Sequence, residues 1–227
     1  TGALLGQLCE NFAVDYAGFI QPDITQSDAH EALSACGRVT LIPERAQGFV
    51  ARGALALRNL AQSRPVTIAK YGHPELARTV SLWIKDHPSG IVHADHIHMA
   101  PYLELGRPAL RVIDEHNVEA RILDRLAERT DRILARPYIR MHRGEARLAS
   151  LADLVLAVSE DDAEELRTMA PSTPVEVIRN GVNLDYFQTR RSEERPDARQ
   201  LVFTGSMNWL PNQDAMIYFC ESILPLL

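Results

Sequence analysis

At 227 residues and 46% hydrophobic content, the chain can build one full core and part of another, since domains usually run to about 100–150 residues. Its net charge of −6 and pI near 5.7 exclude a globally basic nucleic-acid-binding protein. The sequence has no apolar run of about 18 residues and so encodes no transmembrane helix. Cys9, Cys36 and Cys220 are scattered and odd in number, which reads as free thiols of a reducing compartment.

In chain order, residues 2–10 read as the second half of a helix, and 12–20 (FAVDYAGFI) as a strand. A helix is expected over 27–35 and a short strand over 38–42. Leu55, Leu57 and Leu60 give 49–62 helical spacing, which Arg64-Pro65 breaks. Pro74 sits where a first-turn proline belongs, with a helix to follow over 75–85. IVHAD (91–95) is a strand, followed by a short helix over about 99–105. Leu110 to Asp114 is the next strand, and a helix runs from Asn117 to about Ala135, where Pro137 separates it from a second one ending near Leu151. DLVLAV (153–158) is a buried strand. Ser159 caps the next helix with Asp162 in capping-box position, and 175–178 is a further strand ending at Asn180-Gly181.

Strands separated by helices throughout predict a doubly wound parallel α/β sheet of Rossmann-like type. The charged stretch 186–199 interrupts that rhythm and reads as a linker. Leu201 to Thr204 then begins a fresh strand, Gly205-Ser206 a turn, and 212–224 a helix. The expected division is therefore 1–185 as one domain, 186–199 as linker, and 200–227 as the first β–α unit of a second Rossmann-like domain, too short for its own core.

The candidate chemistry lies at strand carboxyl ends, where open α/β sheets bind ligands. Asp114-Glu115-His116-Asn117 ends one strand and enters a helix. His116 is either a ligand-binding or proton-accepting imidazole, or an exposed neighbour of an Asn117 N-cap. HADHIH (93–98) offers three histidines and an aspartate. A continuous strand would send His93 and Asp95 one way and His96 and His98 the other, so a metal site requires the strand to end within the motif. Cleft-lining or capping polar residues are the competing reading. Arginines 121, 125, 129, 132, 136, 140, 143 and 147 recur at helical spacing, either as a solvated face or as a surface for anionic lipid. Asn180-Gly181 reads as a turn. A glycine such as Gly205 lets backbone amides approach a phosphate. No GxGxxG follows a strand, which argues against a nicotinamide or flavin enzyme and against nucleoside-diphosphate-sugar epimerases. Neither a Walker motif nor a GxSxG nucleophile is present.

VHADHIHMAPYL, VIDEHNVEARIL, ADLVLAVSEDDAEEL, VIRNGVNLDYF and LVFTGSMNWLPNQDA follow one another in an order and spacing that resembles family 4 retaining glycosyltransferases. The likeness is nearest to bacterial sugar transferases of exopolysaccharide and PEP-CTERM-associated gene clusters. It spans essentially the whole chain. The resemblance implies a GT-B fold of two Rossmann-like domains, with an acceptor-side N-terminal domain. It further implies metal-independent transfer, with retention, from a nucleoside-diphosphate sugar to a glycan or lipid-linked acceptor. No metal or cofactor is expected, and no nucleic acid.

By the same likeness His116 is the catalytic-site histidine that reaches the donor sugar or its phosphate. Gly205 and Ser206 lie beside the diphosphate, and Asn180 and Gly181 on the donor side. His96, His98, Asp114, Glu115 and Asn117 fall on the acceptor side. The family's first strand and glycine-rich loop would precede Thr1, and its Arg/Lys pair and E-x7-E motif would follow Leu227. The 227-residue piece alone is therefore expected to be inactive. A cytoplasmic enzyme is expected, with peripheral contact to the inner face of the plasma membrane through the Arg121–Arg147 stripe. Two alternatives stay open: a metal-dependent hydrolase built on His93–His98 with Asp114 and His116, and a non-catalytic GT-B-like binding module.

Overall fold

The computed structural model describes residues 2–44, 66–107, 110–129, 132–184, 187, 200–207 and 210–227. Two compact units are formed, Thr1–Gly181 and Val182–Leu227. The expected helix over 49–62, its break at Arg64-Pro65 and nearly all of the expected linker fall outside the described residues.

In the first unit, α1 (Gly2–Asn11) precedes β1 (Tyr16–Ile20), and α2 (Gln26–Ala32) precedes β2 (Val39–Pro43). After α3 (Val66–Ala69) come α4 (Pro74–Asp86), β3 (Ile91–Asp95), a 3-10 segment (Ile97–Leu105) and β4 (Leu110–Glu115). Then follow α5 (Glu119–Arg129), α6 (Arg132–Ala149), β5 (Leu154–Ala157), α7 (Glu160–Met169) and β6 (Val175–Val177). Strands β1 and β2 pair in parallel, and β3-β4-β5-β6 form a second parallel sheet in chain order. This is the mixed α/β architecture with parallel sheets expected of a Rossmann-like GT-B N-terminal domain.

Burial explains why these segments take these forms. Central strands β4 and β5 bury Val112, Ile113, Val155 and Ala157, the apolar run that a sheet covered on both faces demands. Helices α6 and α7 add Met141, Leu148, Ala163 and Leu166 to the same core. A second cluster joins Ile42, Leu76 and Tyr102, with Phe19 and Val80 against it, so α4 and the 3-10 segment pack on the β1-β2 pair. Pro74 opens α4, and Ser159 Oγ accepts the Asp162 amide at the start of α7, as the sequence predicts.

Several expected boundaries in the first unit need correction, among them β1, which starts at Tyr16 rather than at residue 12. The helix after β4 starts at Glu119 rather than Asn117, and α6 contains Pro137 instead of starting after it. A proline at that depth deletes one i→i−4 bond, which an 18-residue helix packed through Met141, Leu148 and Ala149 can tolerate. The segment 99–105 is 3-10 and starts earlier, at Ile97, with Pro101 inside it.

In the second unit, Leu201 to Thr204 forms no strand, and Leu201, Val202 and Phe203 are exposed. A strand exists only as part of a ladder, and these residues have no ladder partner among those described. The helical part of the expected unit is present as α8 (Leu210–Tyr218), continued by π and 3-10 turns to Leu226.

The arginine stripe lies on two helices, α5 and α6. Arg121 pairs with Asp162 and, at 2.8 Å, with Glu165; Arg147 pairs with Glu104 at 2.7 Å. Arg125 and Arg143 are exposed, and the side chains of Arg129, Arg132, Arg136 and Arg140 are outside the described residues. No described helix is long and apolar enough to cross a membrane.

Candidate functional site

Parallel register sets Asp95 of β3 opposite Asp114 of β4 at the carboxyl ends of both strands. The chain leaves β3 abruptly. His96 takes φ 79° and ψ 146°, the one non-glycine residue with positive φ among those described. That conformation costs about 1–3 kcal/mol and persists only where surrounding contacts enforce it. Here the enforcement is visible. The His96 amide donates to the Asp114 carbonyl at 2.9 Å, and Ile97 behind it is fully buried.

The turn therefore ends the strand inside HADHIH and brings His96 to His116, the partner of Asp95, from which a continuous strand would have turned it away. His96 Nδ1 and His98 Nδ1 share a hydrogen bond of 2.8 Å. The His96 ring stacks on that of His116, 5.6 Å away and only 6° from parallel. His116 Nε2 lies 2.7 Å from Asp95 Oδ1 and 4.0 Å from Asp114 Oδ2, and His93 Nε2 is 3.9 Å from that same Asp114 oxygen. His96 Nε2 is 3.4 Å from Glu119 Oε1.

Rings continue the row away from His116. Tyr71 meets His98 edge-on at 5.2 Å, and Phe19 meets Tyr71 at 5.6 Å. Tyr102 locks this segment: its hydroxyl donates to the Tyr71 carbonyl at 2.6 Å and accepts from the His73 amide at 2.9 Å. The result is a half-buried polar and aromatic surface, with His116 38% exposed and paired to a carboxylate that fixes its ring.

Burial, with His96 and Lys70 nearby, pushes the His98 pKa down to about 4. Burial and His116 lower that of His96. Both shifts favour the neutral imidazole, and the shared Nδ1–Nδ1 bond requires that at least one of the two rings carry no proton at that nitrogen. A stability prediction follows. Unfolded His98 takes up its proton near pH 6.5 and folded His98 only near 4, so its contribution is intact above pH 6.5 and lost as pH falls towards 4. The expected loss is roughly 2 kcal/mol after allowing for partial solvent access. Glu145, raised by burial to about 7, acts in the opposite sense over an overlapping range. Denaturant titrations of wild type and His98→Gln, compared at pH 7 and 4.5, isolate the histidine. Wild type should lose the stated amount relative to the variant.

Of the expected site residues, the fold brings His96, His98, Asp114 and His116 together. Glu115 points the other way on β4 and is fully buried, while Asn117 is exposed. Asn180 and Gly181 are exposed at the end of the first unit. Gly181 has no positive φ and open space around its Cα, so no turn requirement explains that glycine. At Gly205 a Cβ would sit 2.8 Å from the Phe203 ring and 2.9 Å from Asn212 Nδ2, and Asn212 donates to the Ser206 carbonyl at 3.0 Å. Both the Phe203 ring and Asn212 Nδ2 are the far ends of side chains, and Phe203 is exposed, so they can give way and packing alone does not require that glycine.

Sequence reasoning missed Glu119, Tyr71 and Glu145, and it named Asp95 only within HADHIH, not as the partner of His116. Asp95 was within reach, because parallel strands with equal ends put Asp95 beside Asp114. Among the described residues, His96, His98 and Glu119 bring ligand atoms within 4.8 Å of one another, as do Asp95, Asp114 and His116. Imidazole and carboxylate donors suit zinc, but in both groups the donors already partner one another.

No curated protein matches the chain. The family model for Glycosyltransferase Family 4 matches residues 29–186, which is more than half of the chain and contains every strand from β2 to β6 together with the histidine cluster. The chain belongs to glycosyltransferase family 4.

Proposed function

We propose that this glycosyltransferase moves a sugar, with retention, from a nucleoside-diphosphate donor to a glycan or lipid-linked acceptor, without a metal. The single observation that carries the site reading is the Asp95–His116 pair stacked on His96 at the ends of β3 and β4. An imidazole anchored on one side by a carboxylate presents its other edge in a fixed direction, suited to hydrogen-bond the donor sugar or its phosphate. His116 is the residue in that role. His96, His98 and Asp114 belong to the acceptor side, with Asn117 exposed next to them. Asn180, Gly181, Gly205 and Ser206 act on the donor side, by likeness to the family.

In the reaction, the bond between the anomeric carbon and the diphosphate oxygen breaks, and the acceptor hydroxyl oxygen bonds to that carbon on the same face. The acceptor proton passes to a leaving-group oxygen. The protein's contribution is positioning and stabilisation of the departing charge. Residues 1–185 serve as the acceptor-side domain and 200–227 as the start of the donor-binding one. The setting we propose is cytoplasmic synthesis of surface or exopolysaccharide, with exposed arginines such as Arg125 and Arg143 towards anionic lipid.

The reading is tested by proton NMR of the product formed by the full-length enzyme. A linkage with the donor's anomeric configuration is expected, and an inverted linkage contradicts retention. A second reading, metal-assisted hydrolysis, draws on the two groups of convergent ligand atoms. Its mark would be free sugar released only in the presence of added zinc or manganese.

A further inference from the structure

The turn that carries His116 enters a helix with no cap of its own. Helix α5 starts at Glu119, and the preceding carbonyl that accepts the first helical bond belongs to Val118. Valine has no side-chain acceptor, so the first amides of α5 are left to find partners elsewhere. Val118 and Ala120 are buried, which leaves water a poor substitute.

The partner comes from α6. Glu145 is fully buried, and its two carboxylate oxygens accept the Glu119 amide at 2.8 Å and the Ala120 amide at 2.7 Å. A negative charge at a helix N-terminus is favoured by the amide dipoles as well as by the two bonds. Beside it lies a second fully buried acid, Glu115, immediately before His116. Neither Glu115 oxygen has a hydrogen-bond partner among the described residues, and the nearby Ile97 amide offsets its burial only in part.

We propose that Glu145 is a positioning residue for His116, its buried carboxyl clamping the start of α5 through two amides, a role that its buried neighbour Glu115 does not share. The two acids differ because Glu145 accepts from two backbone amides and Glu115 has no such pair. Burial and the charges of Glu145 and Glu119 hold Glu115 well above the usual carboxylate range. The clamp reaches the site at two points. It fixes the helix end three residues after His116, and it orients Glu119, whose carboxylate meets His96. His96 in turn stacks on His116. The catalytic part of this inference rests on the proposed role of His116; the clamp itself does not.

Two substitutions separate the acids in the full-length enzyme. Glu115→Gln reproduces a neutral acid and should leave kcat within about two-fold of wild type. Glu145→Gln keeps one carbonyl acceptor but turns an N–H donor towards an amide. It should lower kcat at least ten-fold, with donor KM little changed, and shift the His116 imidazole signals in long-range proton–nitrogen NMR spectra. The reverse ranking of the two variants, or unshifted His116 signals in Glu145→Gln, overturns the proposal. Should Glu145→Gln fail to fold, wild-type hydrogen exchange decides the clamp: the Glu119 and Ala120 amides should exchange as slowly as the interior of α5. Exchange at the fast rate of an uncapped helix start overturns it. Should His116→Ala retain full transfer activity while the His116 signals still respond to Glu145→Gln, the proposed function fails and the clamp stands.

Discussion

Replacing His116 by alanine is expected to lower kcat for sugar transfer by roughly 10²–10³-fold, the usual cost of removing one donor aimed at developing transition-state charge. The fold should survive, because the His116 side chain is 38% exposed and lies outside the apolar core. Substitutions at such positions shift stability by about 0.5 kcal/mol or less. The imidazole also screens Asp95 and Asp114 from each other, so some loss of order at the strand ends will accompany the change. Steady-state kinetics on the full-length enzyme, with thermal unfolding as a control, checks the prediction. A rise in KM at constant kcat would mean that His116 binds ground state and transition state alike, and would remove it from the chemical step.

Ile113→Ala is expected to destabilise the protein by about 2–5 kcal/mol, the range for deleting a large aliphatic side chain from a core that cannot collapse around the cavity. Ile113 is fully buried in β4, with β3 on one side and β5 on the other. Each neighbouring strand is held by its own ladder, so relaxation into the void is restricted. For a chain of this size the midpoint of thermal unfolding should fall by roughly 5–15 °C. The same substitution at Leu82, which is 49% exposed, should have little effect and serves as the control. Equal shifts at both positions would contradict the placement of the core.

The sheet was legible because its signal is local. Buried strands such as 110–114 and 153–158 are short apolar runs between polar turns, and their helices show a 3.6-residue period. The boundary after β4 was less so. Asn117 is the better cap by residue type, yet the helix starts two residues later. The reason is Glu145, which caps α5 from 25 residues along the chain, a relation that no local pattern encodes. His96 shows the same limit. A period-two reading sends it away from Asp95, whereas a left-handed backbone at one residue brings it onto His116, the partner of Asp95. Its strain is sustained by tertiary contacts with Asp114 and the buried 3-10 segment. Leu201 to Thr204 has every local mark of a strand and forms none, because pairing is a property of two segments.

The central claim is that the imidazole cluster at the ends of β3 and β4 serves glycosyl transfer and not metal-assisted hydrolysis. The most direct test is sugar transfer by the full-length enzyme, followed with a nucleoside-diphosphate sugar before and after exhaustive treatment with a chelator. Undiminished transfer after metal removal, abolished by His116→Ala, is the predicted result. Activity lost to the chelator, restored by zinc or manganese and yielding free sugar instead of a glycosylated acceptor, would contradict it.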